Sequence, residues 1–104
     1  MESNEVLDTN LLIEGKTGLT TAFNVVEYPK ALEAKNEILW PTREDHVAAI
    51  SIMVDLLKAG TPVPAIDVMI SAVCINRDLK LLTKDNHFKA VTSVRPELKL
   101  KILS

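Results

Sequence analysis

The sequence has one cysteine, Cys74, so no disulfide can form within the chain. This fits a reducing cytoplasm, where thiols persist. No apolar run approaches the roughly 20 residues that a bilayer-spanning helix needs. The opening Met1-Glu2-Ser3-Asn4-Glu5 is acidic, unlike the positively charged start of a secretory signal. The expected location is therefore cytoplasmic, with no membrane partner. There is no internal repeat and no low-complexity segment, which argues against a repeat array or a biased tail. A strong net charge is missing too: 12 Lys+Arg against 14 Asp+Glu give −2, which is no global nucleic-acid footprint.

What is present suits one globular domain over residues 1–104, with 47% hydrophobic and 25% charged residues. A chain this short buries only about two-thirds of its unfolded surface. Small size and many Val, Ile and Leu residues together lead us to expect a homodimer. The charge is uneven. Residues 1–76 carry 5 basic and 11 acidic side chains, a net of −6; residues 77–104 carry 7 and 3, a net of +4. Arg77, Lys80, Lys84, Lys89, Arg95, Lys99 and Lys101 supply that excess. It reads either as a polyanion-facing side or as a solvated surface around the last strand. Cys74 lies among Ala72, Val73 and Ile75, as buried filler rather than as a reactive thiol.

Residues 64–88 organise the rest. The run 66–75 is almost wholly apolar, free of Gly and Pro, and too long for an ordinary strand, so it predicts a buried helix. Asp67 falls in its first turn, where a carboxylate meets the positive end of the helix dipole. Residues 79–83 read as a strand running into Asp85. Upstream, Val6 and Leu7 read as a short strand ending near Asp8, and Asp8-Thr9-Asn10 as a turn. The segment 11–18 is too short for much more than a turn. A second strand is expected over 19–23. Asn24 then caps a helix to about Lys35, with Glu27 three residues on, at capping-box spacing. Residues 38–41 read as extended. Thr42 caps a helix whose Val47, Ile50, Val54 and Leu57 share one face and whose end is marked by Ala59-Gly60. Leu98, Leu100 and Ile102 alternate with charged neighbours in a final strand. The predicted order is strand, strand, three helices, strand, strand: a parallel sheet covered by helices.

Four acids are not explained by an exposed face: Asp8, Glu27, Asp67 and Asp85. Asp8 and Asp85 follow strands, and Glu27 and Asp67 sit in first turns of helices. If the strands are parallel neighbours, all four can face the crevice at the carboxyl ends of the strands. Ionised together in one crevice, they repel and call for a cation. An all-oxygen site suits Mg²⁺ or Mn²⁺ rather than zinc. Such an ion polarises a phosphodiester and lowers the pKa of an attacking water. The same acids would also serve as helix caps and turn residues, and spacing alone leaves both readings open.

Val6-Leu7-Asp8-Thr9-Asn10, Val26-Glu27, Ile66-Asp67-Val68-Met69-Ile70-Ser71-Ala72 and Leu81-Leu82-Thr83-Lys84-Asp85-Asn86-His87-Phe88 resemble the successive motifs of the PIN domain. The likeness is strongest to the branch that includes VapC-type toxins. The resemblance implies an α/β fold, with a Rossmann-like parallel sheet between two helical layers. It also implies a Mg²⁺- or Mn²⁺-dependent endoribonuclease acting on RNA, as the toxin of a toxin–antitoxin pair whose partner is an antitoxin protein. On this likeness Asp8, Glu27, Asp67 and Asp85 are the catalytic acids, with Asp8, Asp67 and Asp85 holding the metal and Asn10 and Thr83 in polar support. Two departures stand out. Residues 11–18 leave little room for the helix or helical hairpin that the family has there. The family pattern Thr-x-Asp-x-Asp-Phe has His87 at its second acid, so Asp85 acts alone or the imidazole takes over a polar contact. His46 is expected to be exposed.

Two further classes compete. A catalytically reduced PIN-like module that binds RNA or a protein partner follows from the short 11–18 segment. A phosphatase resembling the haloacid dehalogenases would use Asp8 as nucleophile, but the second acid expected two residues on is Asn10.

Overall fold

The computed structural model of the chain describes residues 4–104; residues 1–3, most of the acidic opening, fall outside it. In chain order the elements are β1 (Glu5–Leu7), α1 (Thr9–Ile13), β2 (Leu19–Thr21), α2 (Ala22–Glu27), a 3₁₀ turn (Pro29–Glu33), β3 (Glu37–Leu39), α3 (Arg43–Lys58), α4 (Ala65–Asn76), β4 (Lys80–Thr83), α5 (Phe88–Val94) and β5 (Lys99–Ile102). The five strands form one sheet in the order β3-β2-β1-β4-β5, and every pairing is parallel. The chain moves outward from β1 to β2 and β3, then returns to lay β4 on the other side of β1. The strand order therefore reverses between β1 and β4, where a parallel sheet opens a crevice at its carboxyl edge.

Side chains alternate across a strand, and here the alternation builds two cores. Val6 and Leu81 are register partners and pack with Ile52, Leu56, Val68, Ile70, Phe88 and Val91, from α3, α4 and α5. Leu7 and Leu82, partners one step on, pack instead with Leu11, Leu12 and Ala31, from α1 and the 3₁₀ turn. Helices thus cover both faces, giving the three-layer α/β/α sandwich expected from the sequence. Each fully buried Leu, Ile or Phe contributes about 1.5–3 kcal/mol.

The expected helix over 66–75 is α4, an almost continuously buried helix at the centre of the larger core. It ends where Asp78 takes a left-handed conformation at φ 55°.

Several local expectations are corrected. The segment 11–18 holds more than a turn: α1 forms there, anchored by buried Leu11 and Leu12, and Gly15 at φ 92° closes it. The cap of α2 is Thr21, not Asn24. Asn24 is the third residue of a capping box with Thr21, and this places Glu27 at the end of the helix rather than in its first turn. Pro29 then starts the separate 3₁₀ turn, because its missing N–H cannot continue the α-helical ladder. The extended piece near 38–41 is the edge strand β3. Helix α5 was not expected.

Helix α3 faces inward with Asp45, Ala49, Ile52 and Leu56, whereas Val47, Ile50, Val54 and Leu57 are exposed. Asp45 explains the choice of face. It is 1% exposed, and its Oδ2 accepts the Thr42 N–H at 2.7 Å. Its Oδ1 accepts from Asn76 Nδ2 at 2.8 Å and Arg77 Nη1 at 3.1 Å. The start of α3 is thereby tied to the end of α4. Burial pushes the Asp45 carboxyl up, but hydrogen bonds from Thr42, Asn76 and Arg77 and the guanidinium charge outweigh it and hold the group below the usual carboxylate range.

Candidate active site

Asp8 follows β1 directly and caps α1, its Oδ1 accepting the Thr9 N–H at 2.9 Å. It is buried, and three side chains complete its shell. Asn24 Nδ2 donates to Oδ1 at 2.8 Å, and the Thr83 hydroxyl donates to Oδ2 at 2.6 Å. Asn10 Nδ2 reaches Oδ2 at 3.3 Å. Both carboxylate oxygens are therefore fixed in orientation. Asn24, fully buried, is fixed in turn by the Thr21 hydroxyl, which donates to its Oδ1 at 2.6 Å. The sequence offered Asn24 as a helix cap; the fold makes it a prop for Asp8. The spacing read from the sequence, Asn24 to Glu27, carries no sign of Asp8.

At the end of β4, Thr83 also accepts the Asp85 N–H at 2.9 Å, so one hydroxyl links Asp8 to the turn that carries Asp85. Asn10 braces the same turn, accepting the Lys84 N–H at 3.2 Å. Asp85 Oδ1 accepts the His87 N–H at 2.8 Å and lies 3.2 Å from His87 Nδ1. Asp67, in the first turn of α4, places Oδ2 3.7 Å from the same Nδ1. Glu27 Oε1 accepts from the Thr9 hydroxyl at 2.6 Å. Thr9, another residue passed over in the sequence, so links Glu27 to Asn24, whose Nδ2 donates to the Thr9 oxygen at 3.0 Å.

Electrostatics tie the four acids together. Burial, then the charges of Asp8, Asp85 and Glu27, push the Asp67 carboxyl up to about 6, with His87 opposing. The structure thus gathers the four predicted acids into one charged neighbourhood at the β1/β4 switch point. One ligand atom each from Asp67, Asp85 and His87 lies within 4.8 Å of the others. Asp8 and Glu27 do not belong to that tight group among the described residues; the oxygens of Asp8 accept from Thr9, Asn24, Thr83 and Asn10. The donor set fits a divalent cation: the mutual repulsion that raises Asp67 is what a dication relieves, and carboxylate oxygens suit Mg²⁺ or Mn²⁺.

The basic C-terminal third is less available than its charge suggests. Arg77 pairs with Asp45, Lys84 with Glu14, Arg95 with Asp55 and Lys99 with Asp78. Lys80, Lys89 and Lys101 have no ion pair among the described residues. His46 is exposed as expected, its Nδ1 2.8 Å from the Thr42 carbonyl.

Comparison with known proteins fits this geometry. The family model of the PIN domain matches residues 16–94. The chain belongs to the PIN domain family, whose members are generally nucleases. The match takes in Glu27, Asp67, Thr83, Asp85 and His87 but starts after Asp8 and Asn10, which only the fold joins to the rest. No curated protein matches the chain by sequence. Solved structures similar in fold include a DNA-bound VapBC from Salmonella typhimurium, with TM-score 0.78 and 17% identity over 97% of this chain and 98% of that one. VapBC2 from Rickettsia felis, bound to a promoter DNA fragment, gives TM-score 0.76 and 16% identity over 96% and 98%. VapBC-5 from Mycobacterium tuberculosis, of the VapBC toxin–antitoxin family, gives 0.74 and 20% over 98% of both chains. No helix among the described residues is long and apolar enough to cross a membrane.

Proposed function

We propose that this chain, read as one PIN-like unit over residues 1–104, is a metal-dependent endoribonuclease that hydrolyses RNA phosphodiester bonds. We read it as the cytoplasmic toxin of a toxin–antitoxin pair. The observation that carries the reading is the meeting of ligand atoms from Asp67 and Asp85, with His87, within 4.8 Å of one another, at the crevice where a parallel sheet takes its ligands. Asp67 and Asp85, with Asp8 beside them, would hold Mg²⁺ or Mn²⁺, which supplies charge neutralisation at the phosphodiester and a lowered pKa for an attacking water.

The chain's own residues do the positioning. Thr83 and Asn10 fix Asp8 and the 83–85 turn, and Thr9 holds Glu27 where it can orient the attacking water. Lys89, two residues beyond His87 and without an ion pair among the described residues, offers a cation to the RNA backbone, so binding weakens with salt. The partner reading rests on the fold shared with VapBC structures, which pair a toxin with an antitoxin.

A second copy is the proposed occupant of the exposed stripe of α3. Val47, Ile50, Val54 and Leu57 recur at helical spacing and are 43–66% exposed. Beside them runs an apolar groove of about 220 Å³ between α3 and α4, lined by Ala49, Ile50, Met53, Ala65 and Met69. An apolar stripe along one long helix can meet its own copy across a two-fold axis, the arrangement of an isologous dimer.

The deciding experiment is RNA cleavage by purified protein with Mn²⁺, compared with Asp8→Asn. Cleavage that Asp8→Asn abolishes supports the reading; undiminished cleavage by the variant refutes it. A folded protein with neither cleavage nor Mn²⁺ binding at millimolar metal would be the reduced binding module instead.

A further inference from the structure

We propose that His87 supplies a nitrogen ligand to the metal site through Nδ1, and so biases the site toward first-row transition cations over Mg²⁺. The inference rests on the reading of Asp67 and Asp85 as metal ligands given above.

The geometry is that of neighbouring ligands on one ion. Nδ1 lies 3.2 Å from Asp85 Oδ1 and 3.7 Å from Asp67 Oδ2. Donors bound to a single cation at about 2.0–2.2 Å sit roughly 3 Å apart at right angles and somewhat farther apart in a tetrahedron. One ligand atom from each of the three residues lies within 4.8 Å of the other two, so the three can converge on one ion.

The imidazole has no competing structural task. It is 60% exposed, so it does not fill the core. It begins α5 without making a side-chain capping bond. Its polar side-chain partners among the described residues are Asp67 and Asp85 alone. The hydrogen bond from its own N–H to Asp85 Oδ1 at 2.8 Å holds the residue beside that carboxylate from the backbone side.

The chemistry then decides which ion gains. Mg²⁺ is a hard cation that takes oxygen ligands and keeps several waters. Imidazole suits later first-row metals, and affinity for a mixed nitrogen and oxygen site rises from Mn²⁺ through Fe²⁺ to Co²⁺. Replacing one oxygen ligand by Nδ1 costs Mg²⁺ most. His87 is thus a specificity-determining residue for the metal.

The test loads the full chain with Mn²⁺ in a buffer without nitrogen ligands and records pulsed electron paramagnetic resonance. The expected result is a ¹⁴N coupling from coordinated imidazole that His87→Ala and His87→Asp abolish. His46, the one other histidine, leaves the coupling intact when changed to Ala. Titration calorimetry with Mn²⁺, Co²⁺ and Mg²⁺ should show the preference for Mn²⁺ and Co²⁺ over Mg²⁺ falling at least tenfold in His87→Asp. If Mn²⁺ binds the wild type, is lost in Asp67→Asn and Asp85→Asn, and shows no nitrogen coupling, the role of His87 is overturned while the acidic site stands. If Mn²⁺ binding survives both of those substitutions, or the wild type binds no Mn²⁺ at millimolar concentration, the inference and the metal reading beneath it both fall.

Discussion

The Thr83 hydroxyl donates to Asp8 Oδ2 at 2.6 Å and accepts the Asp85 N–H at 2.9 Å. A single oxygen on β4 thereby sets the orientation of a carboxylate just past the end of the neighbouring strand and of the turn that carries a second one. Thr83→Val keeps the shape, removes these bonds and the one from Asn10 Nδ2 at 3.3 Å, and leaves Asp8 Oδ2 with Asn10 as its remaining donor. Such a loss costs about 1–3 kcal/mol. We expect urea unfolding to show a drop of that size and RNA cleavage to fall at least tenfold. Thr83→Ser, which keeps the oxygen, should retain most of the activity. Wild-type cleavage by Thr83→Val would remove the hydroxyl from the machinery of the site.

Asp67 gives a pH dependence whose sign can be worked out for the metal-free protein. Burial and then the neighbouring charges push its folded carboxyl up to about 6, above the usual carboxylate range, so the folded state prefers the proton. The stability this preference contributes is fully present below about pH 4 and is lost as pH rises through about 6. The loss between the two limits amounts to up to about 3 kcal/mol. Asp67→Asn removes the charge and keeps the shape. In the presence of a chelator the variant should be more stable than wild type at pH 7.5, and the gap should close toward pH 4. Urea midpoints across that range measure it. An equal gap at both ends would show that neither burial of the Asp67 charge nor its repulsion by the other acids is the source.

The layers and the acids were legible because each rests on a strong local pattern. The run 66–75 has no Gly, no Pro and almost no polar residue, which fits few structures besides a buried helix, and Asp8 and Asp85 stand where strands end. Smaller pieces were not legible. Helix α1 spans only Thr9–Ile13, too few residues to show a period, and its stability comes from Leu11 and Leu12 buried against Leu7 and Leu82. Helix α3 has two apolar stripes. The one that faces inward begins with Asp45, which looks polar in sequence because Asn76 and Arg77 lie 31 and 32 residues away. Glu27 was placed in a first turn because Asn24 resembled a cap; the cap is Thr21, one turn earlier. The prop that Asn24 provides to Asp8 spans 16 residues, beyond any local signal.

Asp45 should prove a structural anchor with no part in cleavage chemistry. Without its side chain Arg77, 25% exposed, and Asn76 lose their acceptor and the Thr42 N–H its cap, a loss of hydrogen bonds to a buried carboxylate worth about 1–3 kcal/mol. Asp45→Ala should lower the thermal midpoint sharply. Below that midpoint, Mn²⁺ affinity should stay at the wild-type value. A variant as stable as wild type would contradict the tie between α3 and α4.

Cys74 should be inert in the folded protein. It is fully buried, and burial pushes its thiol up to about 12, so almost no thiolate forms at neutral pH. Iodoacetamide at pH 8 should leave the native chain unmodified and label it rapidly in urea, as mass spectrometry would show. Prompt native labelling would mean that α4 opens readily, in conflict with its place at the centre of the larger core.

The exposed stripe of α3 supplies the last prediction. Val47, Ile50, Val54 and Leu57 lie outside the fold's own core, so charged residues there should leave monomer stability within about 0.5 kcal/mol. If a second copy covers the stripe, Ile50→Glu with Leu57→Glu buries repelling charges at the two-fold and separates the copies. Light scattering at tens of micromolar should give a mass near twice 11.5 kDa for wild type and a single chain's mass for the double variant. Circular dichroism should be unchanged between them. Specific interfaces cover about 800 Å² per partner, more than one helix face presents, so the flanking groove of Met53 and Met69 has to join the contact. Met53→Asp alone should then weaken the dimer as well. A wild-type protein that stays monomeric at this concentration would leave the stripe to another partner.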